Sequence, residues 1–194
     1  MKPDALPLAV LVCARLCHDL GGLAGTLLGA IDLAQEDNDG EALTVARETA
    51  ETLAARLRLL RAAWGPPSEA LDARGMQRLA AGLGEQIVVD IAEFEPGLLT
   101  AERTRVALAM VLLAAEALVG GGVLSLSGTP GGPLRVAARG TRAAWPQGLR
   151  HYRANEQPTG PRDLLMPLCD LIARSDGMQL EVSDAPPAVT ATPL

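Results

Sequence analysis

Residues Arg15-Leu16-Cys17-His18-Asp19-Leu20, followed by Gly21-Gly22-Leu23-Ala24-Gly25, lie inside a long apolar segment with a helical period. Its apolar residues recur at alternating intervals of three and four, which is typical of a helix that packs in a bundle. The residues of this seam are Leu6, Ala9, Cys13, Leu16, Leu20, Leu23, Leu27, Ala30 and Ala34. The pattern predicts a helix from about Leu6 to Gln35.

His18 falls on the side of this helix that is furthest from the seam, together with several residues that have little or no side chain. Each glycine inside a helix costs about 1 kcal/mol relative to alanine. The glycines therefore do not serve the stability of the helix, but a bare backbone lets another helix approach closely. We expect a partner-binding surface around His18 that consists of Arg15, Gly21, Gly22 and Gly25.

A second helix is predicted from about Glu41 to Trp64, after the short polar turn Glu36–Gly40. Its own seam consists of Leu43, Ala46, Ala50, Leu53, Leu57, Leu60 and Trp64. Two helices with matched seams form an antiparallel hairpin. The wider apolar stripe on the first helix, which adds Cys17, Ala24 and Ile31, stays uncovered in one hairpin. We therefore expect a homodimer in which two hairpins form a four-helix bundle.

The character of the chain changes after Gly65-Pro66-Pro67-Ser68. Helices are predicted at about 71–83, at 101–119 with Thr100 as N-cap, and at 162–174, with strands at 86–91, 123–127, 134–139 and 178–182. Residues 141–160 read as irregular and 186–194 as a loose tail. The expected fold is α+β, with a helical hairpin domain over residues 1–66 and an α/β sandwich domain over 67–194.

Composition excludes several classes of protein. A net charge of −6 and an aromatic content of 2% argue against a nucleic-acid-binding protein. Three cysteines suit a reducing compartment better than a disulfide framework. Asp4 and the unbroken helical register argue against a signal peptide, and no apolar stretch reads as long and charge-free enough to span a bilayer. We expect a cytoplasmic protein.

A surface histidine followed by an acid is suited to phosphoryl transfer through imidazole. One neutral ring nitrogen can attack phosphorus while a carboxylate holds the proton on the other nitrogen. His18 and Asp19 are therefore the candidate catalytic residues. In the alternative interpretation Arg15 and Asp19 form only a surface ion pair and His18 is incidental. A metal site formed by Cys13, Cys17 and His18 is disfavoured because the cysteines are expected in the core, and His151 is expected to be solvated.

The segment Arg15–Leu20 in the first helix of a hairpin resembles the phosphoacceptor segment of the bacterial ChpT-type histidine phosphotransferases. These proteins resemble histidine kinases, with a dimeric hairpin followed by a degenerate ATPase-like domain. The resemblance implies that His18 accepts a phosphoryl group from a hybrid kinase's receiver domain and passes it to a response-regulator receiver domain. Related segments have a polar residue four positions after the histidine, where this chain has Gly22.

The second half departs from the kinase pattern at the nucleotide site. Kinases have an asparagine that binds the metal and phosphates of ATP in the helix that Met110–Val119 matches, and this stretch has none. The nearest match to the Asp-x-Gly-x-Gly box that holds adenine is Arg139-Gly140-Thr141. The region near Gly160 has no glycine-rich lid box. Gly120-Gly121-Gly122 reads as a turn. We expect no cofactor or metal of the chain's own, with Mg²⁺ supplied by the receiver. The alternatives are an adaptor that docks a kinase or response regulator without phosphorylation and, less favoured, an ATP-dependent kinase.

Overall fold

Two long helices form the first part of the chain in a computed structural model, which describes residues 5–37, 40–147, 149, 160 and 163–194. Helix α1 covers Ala5–Asp37 and helix α2 covers Gly40–Trp64. Glu41 in the first turn of α2 and Arg61 in its last turn carry the charges that a helix dipole favours at those ends. Both predicted helices are confirmed, and each extends further than predicted, since α1 continues through Asp37 and α2 begins at Gly40.

The contact between α1 and α2 follows part of the predicted seams. The α1 residues that are buried or half-buried along it are Leu16, Leu20, Leu23, Leu27, Ala30 and Ala34. The predicted burial of Leu43 and Leu57 in α2 is wrong for a single chain, since both are exposed. In this stretch Ala42 and Thr49 are buried in their place, and the predicted seam residue Ala46 is buried as expected.

The second part of the chain is a mixed sheet with helices on it. Its elements are α3 (Ala73–Ala80), a short 3-10 turn (Ala81–Leu83), β1 (Ile87–Asp90), α4 (Ala101–Ala115), β2 (Gly122–Gly128), β3 (Leu134–Arg139), α5 (Leu165–Ser175), β4 (Met178–Asp184) and β5 (Pro187–Pro193). The strand order is β1-β2-β3-β5-β4. Strands β1 and β2 are parallel, and the other pairs are antiparallel. The α+β fold class is confirmed.

Helix α4 forms the centre of the core. Thr100 is its N-cap as predicted, accepting a hydrogen bond from the backbone N–H of Arg103 at 3.4 Å. Every residue from Val106 to Ala114 is buried. The helix ends at Ala115, earlier than the predicted Val119, with Glu116 as its C-cap. Leu59, Leu60 and Ala63 of α2 belong to the same apolar cluster as α4, so the hairpin and the sheet domain share one core.

A close contact fixes the 3-10 turn against α2. A Cβ atom on Gly82 would lie 2.5 Å from the carbonyl oxygen of Ala55, a distance that no side chain tolerates. Only glycine lets the turn approach α2 this closely. The turn therefore lies beside the next residue of α2, Arg56.

The predicted loose tail at residues 186–194 is wrong. Pro187–Pro193 forms β5, which lies between β3 and β4 in the sheet. Val189 and Ala191 are fully buried, with Val189 opposite Val136 and Ala191 opposite Leu134. Flanking prolines and small side chains weaken the strand pattern in the sequence, but two neighbouring strands supply the hydrogen bonds.

Helix α1 also contradicts the prediction that the chain has no apolar stretch able to span a bilayer. Pro7–Gln35 is long and apolar enough to cross a membrane, with a mean hydropathy of 1.4 in its most apolar 18 residues. Only 6% of those residues are buried. The prediction that no such stretch exists is therefore wrong. Length and composition alone are weak evidence of a membrane span, because the core helix of a soluble protein can have the same length and composition.

Candidate functional site

His18 lies near the middle of α1, and its side chain is 81% exposed. Its Nδ1 atom is 3.2 Å from Oδ1 of Asp19. A carboxylate only accepts hydrogen bonds, so this contact is a hydrogen bond when Nδ1 carries the ring proton. Nε2 then has its lone pair free, and no hydrogen bond to it is found within the described part of the chain.

Asp19 is the centre of a charged cluster. Its side chain is 14% exposed, and its Oδ2 accepts a hydrogen bond from Nε of Arg15 at 2.8 Å. Nη2 of Arg56, from α2, lies 3.5 Å from the same oxygen. Burial alone would raise the pKa of Asp19, but the hydrogen bond and charge of Arg15, the His18 contact and the Arg56 charge together lower it. Asp19 is thus ionised beside the imidazole at neutral pH.

Arg15 links the hairpin to the second half of the chain. While Nε donates to Asp19, Nη2 donates to Oε1 of Glu116 at 2.8 Å. Burial would lower the pKa of Arg15, but the bonds and charges of both carboxylates outweigh it and raise the pKa. The ion pair of the alternative interpretation is therefore present, and it belongs to the cluster that contacts His18. A role of Arg15 in partner binding stays a prediction, because its guanidinium faces these two carboxylates.

Two residues of this cluster, Arg56 and Glu116, were not predicted from the sequence. Arg56 is one of several arginines in α2, and nothing in the sequence singles it out. Glu116 does have a signal, because it is the charged residue that directly follows the buried helix α4. Its partner is 101 positions away in sequence, so only the fold brings the two together.

A cleft of about 400 Å³ opens beside the histidine. It lies between α1, α2 and the turn that follows α3, and its lining includes His18, Asp19, Thr52, Arg56, Leu83 and Gly84. Two arginines and one carboxylate make it polar and charged on the side of His18. The exposed imidazole therefore stands at the edge of a cleft whose polar groups could contact a transferred phosphoryl group.

The glycines of α1 face open space where a side chain would lie. A Cβ atom on Gly21, Gly22, Gly25 or Gly29 would meet no atom within 4 Å. Nothing in this chain's own packing requires glycine at these positions. They leave a low surface next to His18, as the sequence predicts.

The cysteines do not have their predicted places. Cys13, a predicted seam residue, and Cys17, on the wider apolar stripe, were both expected in the core, but both are exposed in the single chain. Both lie on the uncovered apolar side of α1, which explains why their pattern looked like that of core residues. Among the described residues, no group of three or more histidine, cysteine or acidic side chains could hold a metal ion. His151 lies outside the described residues.

Gly120-Gly121-Gly122 forms a tight turn, as predicted. All three have positive φ, at 97°, 93° and 151°. The N–H of Gly121 donates to the carbonyl of Leu118 at 3.0 Å, and that of Gly122 donates to the carbonyl of Gln86 at 2.9 Å. These two amides are already bonded within the chain and do not form a phosphate cradle.

A family comparison and a structural comparison both return matches. Residues 78–187 match the family of the histidine phosphotransferase C-terminal domain. A solved bacterial phosphotransferase matches with 22% identity, a TM-score of 0.80, and coverage of 98% of both chains. Histidine kinase AdeS of Acinetobacter baumannii matches at 14% identity over 91% of this chain and 96% of its own, with a TM-score of 0.48.

A histidine kinase domain from Erythrobacter litoralis matches at 16% identity over 91% of this chain and 94% of its own, with a TM-score of 0.44. No curated protein sequence matches the chain significantly. The strong structural match extends over the whole chain, so the hairpin and the sheet domain recur together in that fold.

Proposed function

The chain belongs to the histidine phosphotransferase family, and on that premise we propose that His18 is the residue that carries the phosphoryl group. Histidine phosphotransferases act in phosphorelays. The observation that carries the assignment is the exposed imidazole whose Nδ1 contacts Asp19, which leaves Nε2 free to react.

In the proposed reaction, the Nε2 lone pair of His18 attacks the phosphorus of a phosphoaspartate in an upstream receiver domain. An N–P bond forms while the P–O bond to the receiver breaks, and its electron pair stays on the receiver carboxylate. The imidazole becomes positively charged, and its Nδ1 proton is held by Asp19. Attack by the aspartate of a downstream receiver reverses these steps and restores neutral His18.

We propose that the partners are a hybrid histidine kinase's receiver domain and a response-regulator receiver domain. The low surface of Gly21, Gly22 and Gly25 supports this, since a receiver helix could approach His18 there without meeting side chains. Mg²⁺ would come with the receiver, whose carboxylates suit it. Arg56, on the cleft side of His18, is placed to contact the transferred group.

We further propose that the chain acts as a homodimer joined through its hairpins. Exposed or half-exposed apolar residues recur every seven positions on both helices, as in the core of a helical bundle. They are Val10, Cys17, Ala24 and Ile31 in α1 and Leu43, Ala50 and Leu57 in α2. A second hairpin would cover both stripes and leave His18 on the outside.

The division into domains at residues 1–66 and 67–194 is retained as part of the proposal, with the sheet domain lacking a nucleotide site.

A cytoplasmic location is proposed as well, since histidine phosphotransferases are soluble and their receiver partners are intracellular signalling domains. The apolar stripe of α1 is then a dimer contact and not a membrane span.

The test is phosphotransfer from a radiolabelled phosphoreceiver. Wild-type protein should take up label that is acid-labile and base-stable, while His18→Ala should take up none and keep its fold, because His18 buries little surface. ATP and Mg²⁺ alone should leave the wild-type protein unlabelled. If receivers from the same genome transfer nothing, or if His18→Ala still accepts label, the assignment fails and a non-catalytic adaptor replaces it.

A further inference from the structure

Glu116 is in an unusual place for a carboxylate. It comes two positions after a run of nine consecutive buried residues in α4 and forms the C-cap of that helix. A negative charge at a helix C-terminus is disfavoured by the helix dipole, so the helix itself gains nothing from it. The contact that compensates is the ion pair with Arg15, in which the Glu116 side chain is 25% exposed and that of Arg15 13%.

The guanidinium of Arg15 connects this carboxylate to the histidine. It donates from Nη2 to Glu116 and from Nε to Asp19, both at 2.8 Å. Because a guanidinium is planar, two bonds from different nitrogens fix its orientation. Oδ2 of Asp19 is held in turn, which aims Oδ1 at Nδ1 of His18.

The charges of the cluster balance. Arg15 and Arg56 are opposed by Asp19 and Glu116, while His18 is the one other titratable group that the described residues bring to this cleft. Loss of the Glu116 charge would leave one net positive charge near the imidazole. That charge would disfavour the imidazolium that forms when His18 accepts a phosphoryl group.

We infer that Glu116 is a positioning residue for phosphoryl transfer, acting through Arg15 and Asp19 on His18. This inference rests on the proposed role of His18. By this inference the sheet domain contributes to phosphoryl transfer without binding a nucleotide. It supplies the Glu116 carboxylate, which orients His18 and Asp19 through Arg15. The competing explanation is that the Arg15–Glu116 pair only fastens the two halves of the chain together.

The first experiment measures single-turnover transfer from a phosphorylated receiver over a range of receiver concentrations. Glu116→Gln should lower the maximal rate by about 10- to 100-fold, since a misplacement of reacting groups by about 1 Å can cost about 100-fold. The half-saturating receiver concentration should be unchanged. Glu51→Gln is the matched control, because Glu51 is paired with Arg47 on the exposed face of α2 at 3.0 Å. An unchanged maximal rate, or a change in half-saturation alone, would overturn the inference.

A second experiment separates positioning from fastening. Arg15→Glu combined with Glu116→Arg restores an ion pair between the two halves but puts a carboxylate beside Asp19. The rate should stay low in this double variant, and its recovery would show that the pair is only a fastener. ¹⁵N NMR of the His18 ring should show a changed tautomer population in Glu116→Gln. An unchanged ring spectrum would also contradict the inference.

Two other causes of a low rate can be distinguished from a positioning role of Glu116: a variant that does not fold, and a wrong assignment of His18. Should Glu116→Gln not fold, Glu116→Asp keeps the charge but shortens the reach to Arg15, and it should give an intermediate loss of rate. If wild-type protein itself accepts no phosphoryl group, the role of His18 is wrong. If wild-type protein transfers and the Glu116 variants equal it, only the positioning role is wrong.

Discussion

The imidazole of His18 and the carboxylate of Asp19 are adjacent in sequence, and they contact each other through Nδ1 and Oδ1 at 3.2 Å. Adjacent residues on a helix point about 100° apart, so the contact exists because Asp19 is drawn in by Arg15 while His18 stays outside. The side chain of Asp19 is 14% exposed, and that of His18 is 81% exposed. The pair thus combines an ordered carboxylate with an accessible imidazole.

Asp19→Asn should slow phosphoryl transfer without abolishing it. The amide keeps a polar group beside Nδ1 but loses the charge that stabilises the imidazolium, and a positioned acid or base contributes about 10²–10⁴-fold. The measurement is the single-turnover transfer rate. Asp32→Asn, an exposed acid on the same helix, is the control and should transfer at the wild-type rate. Equal rates for both variants would remove Asp19 from the mechanism.

The stability of the protein should depend on Asp19 in a defined pH range. Its pKa is lower in the folded chain than the ordinary value of 3.8, so its ionised form stabilises the fold above that pH. This contribution disappears as the pH falls through the folded-state pKa. The difference in unfolding free energy between wild type and Asp19→Asn, from urea denaturation, should therefore shrink below about pH 4. A difference that does not change between pH 7 and pH 3 would contradict the lowered pKa.

Gly25→Leu should block transfer while leaving the fold intact. The structure has open space at this position, and replacing a helical glycine gains up to about 1 kcal/mol of stability. A leucine side chain would, however, obstruct a partner helix beside His18. Gly25→Ala is the matched control, with a similar helical gain and little bulk. If both variants are folded and transfer equally fast, the glycines do not form a docking surface.

A dimer should have twice the chain mass of 20.2 kDa in light scattering. Ile31→Glu places a charge in the exposed apolar stripe of α1, where burial of an unpaired carboxylate is strongly unfavourable, and should shift the protein to monomer. Val119→Glu, at an exposed apolar residue of the sheet domain, should remain dimeric. A wild-type monomer at micromolar concentration would exclude the four-helix bundle.

Features that depend on local pattern could be predicted from the sequence. The period of α1 and α2 and the cap at Thr100 are set by neighbouring residues, and the exposure of His18 follows from its distance from the seam. The bond from Arg15 to Glu116 could not be predicted, because it joins positions 101 residues apart and exists only after the two halves pack. Burial of Ala42 and Thr49 in α2 was missed because the apolar pattern gives most weight to the larger leucines.

The position of β5 was missed for a similar reason, and it has a genetic consequence. Residues 187–193 are synthesised after the other four strands of this sheet, yet β3 and β4 both depend on them for hydrogen bonds. A premature stop codon or frameshift just before Pro187 would remove an interior strand and not a dispensable end. We expect such an allele to behave as a complete loss of function, with the shortened product aggregated or degraded when the truncated gene is expressed.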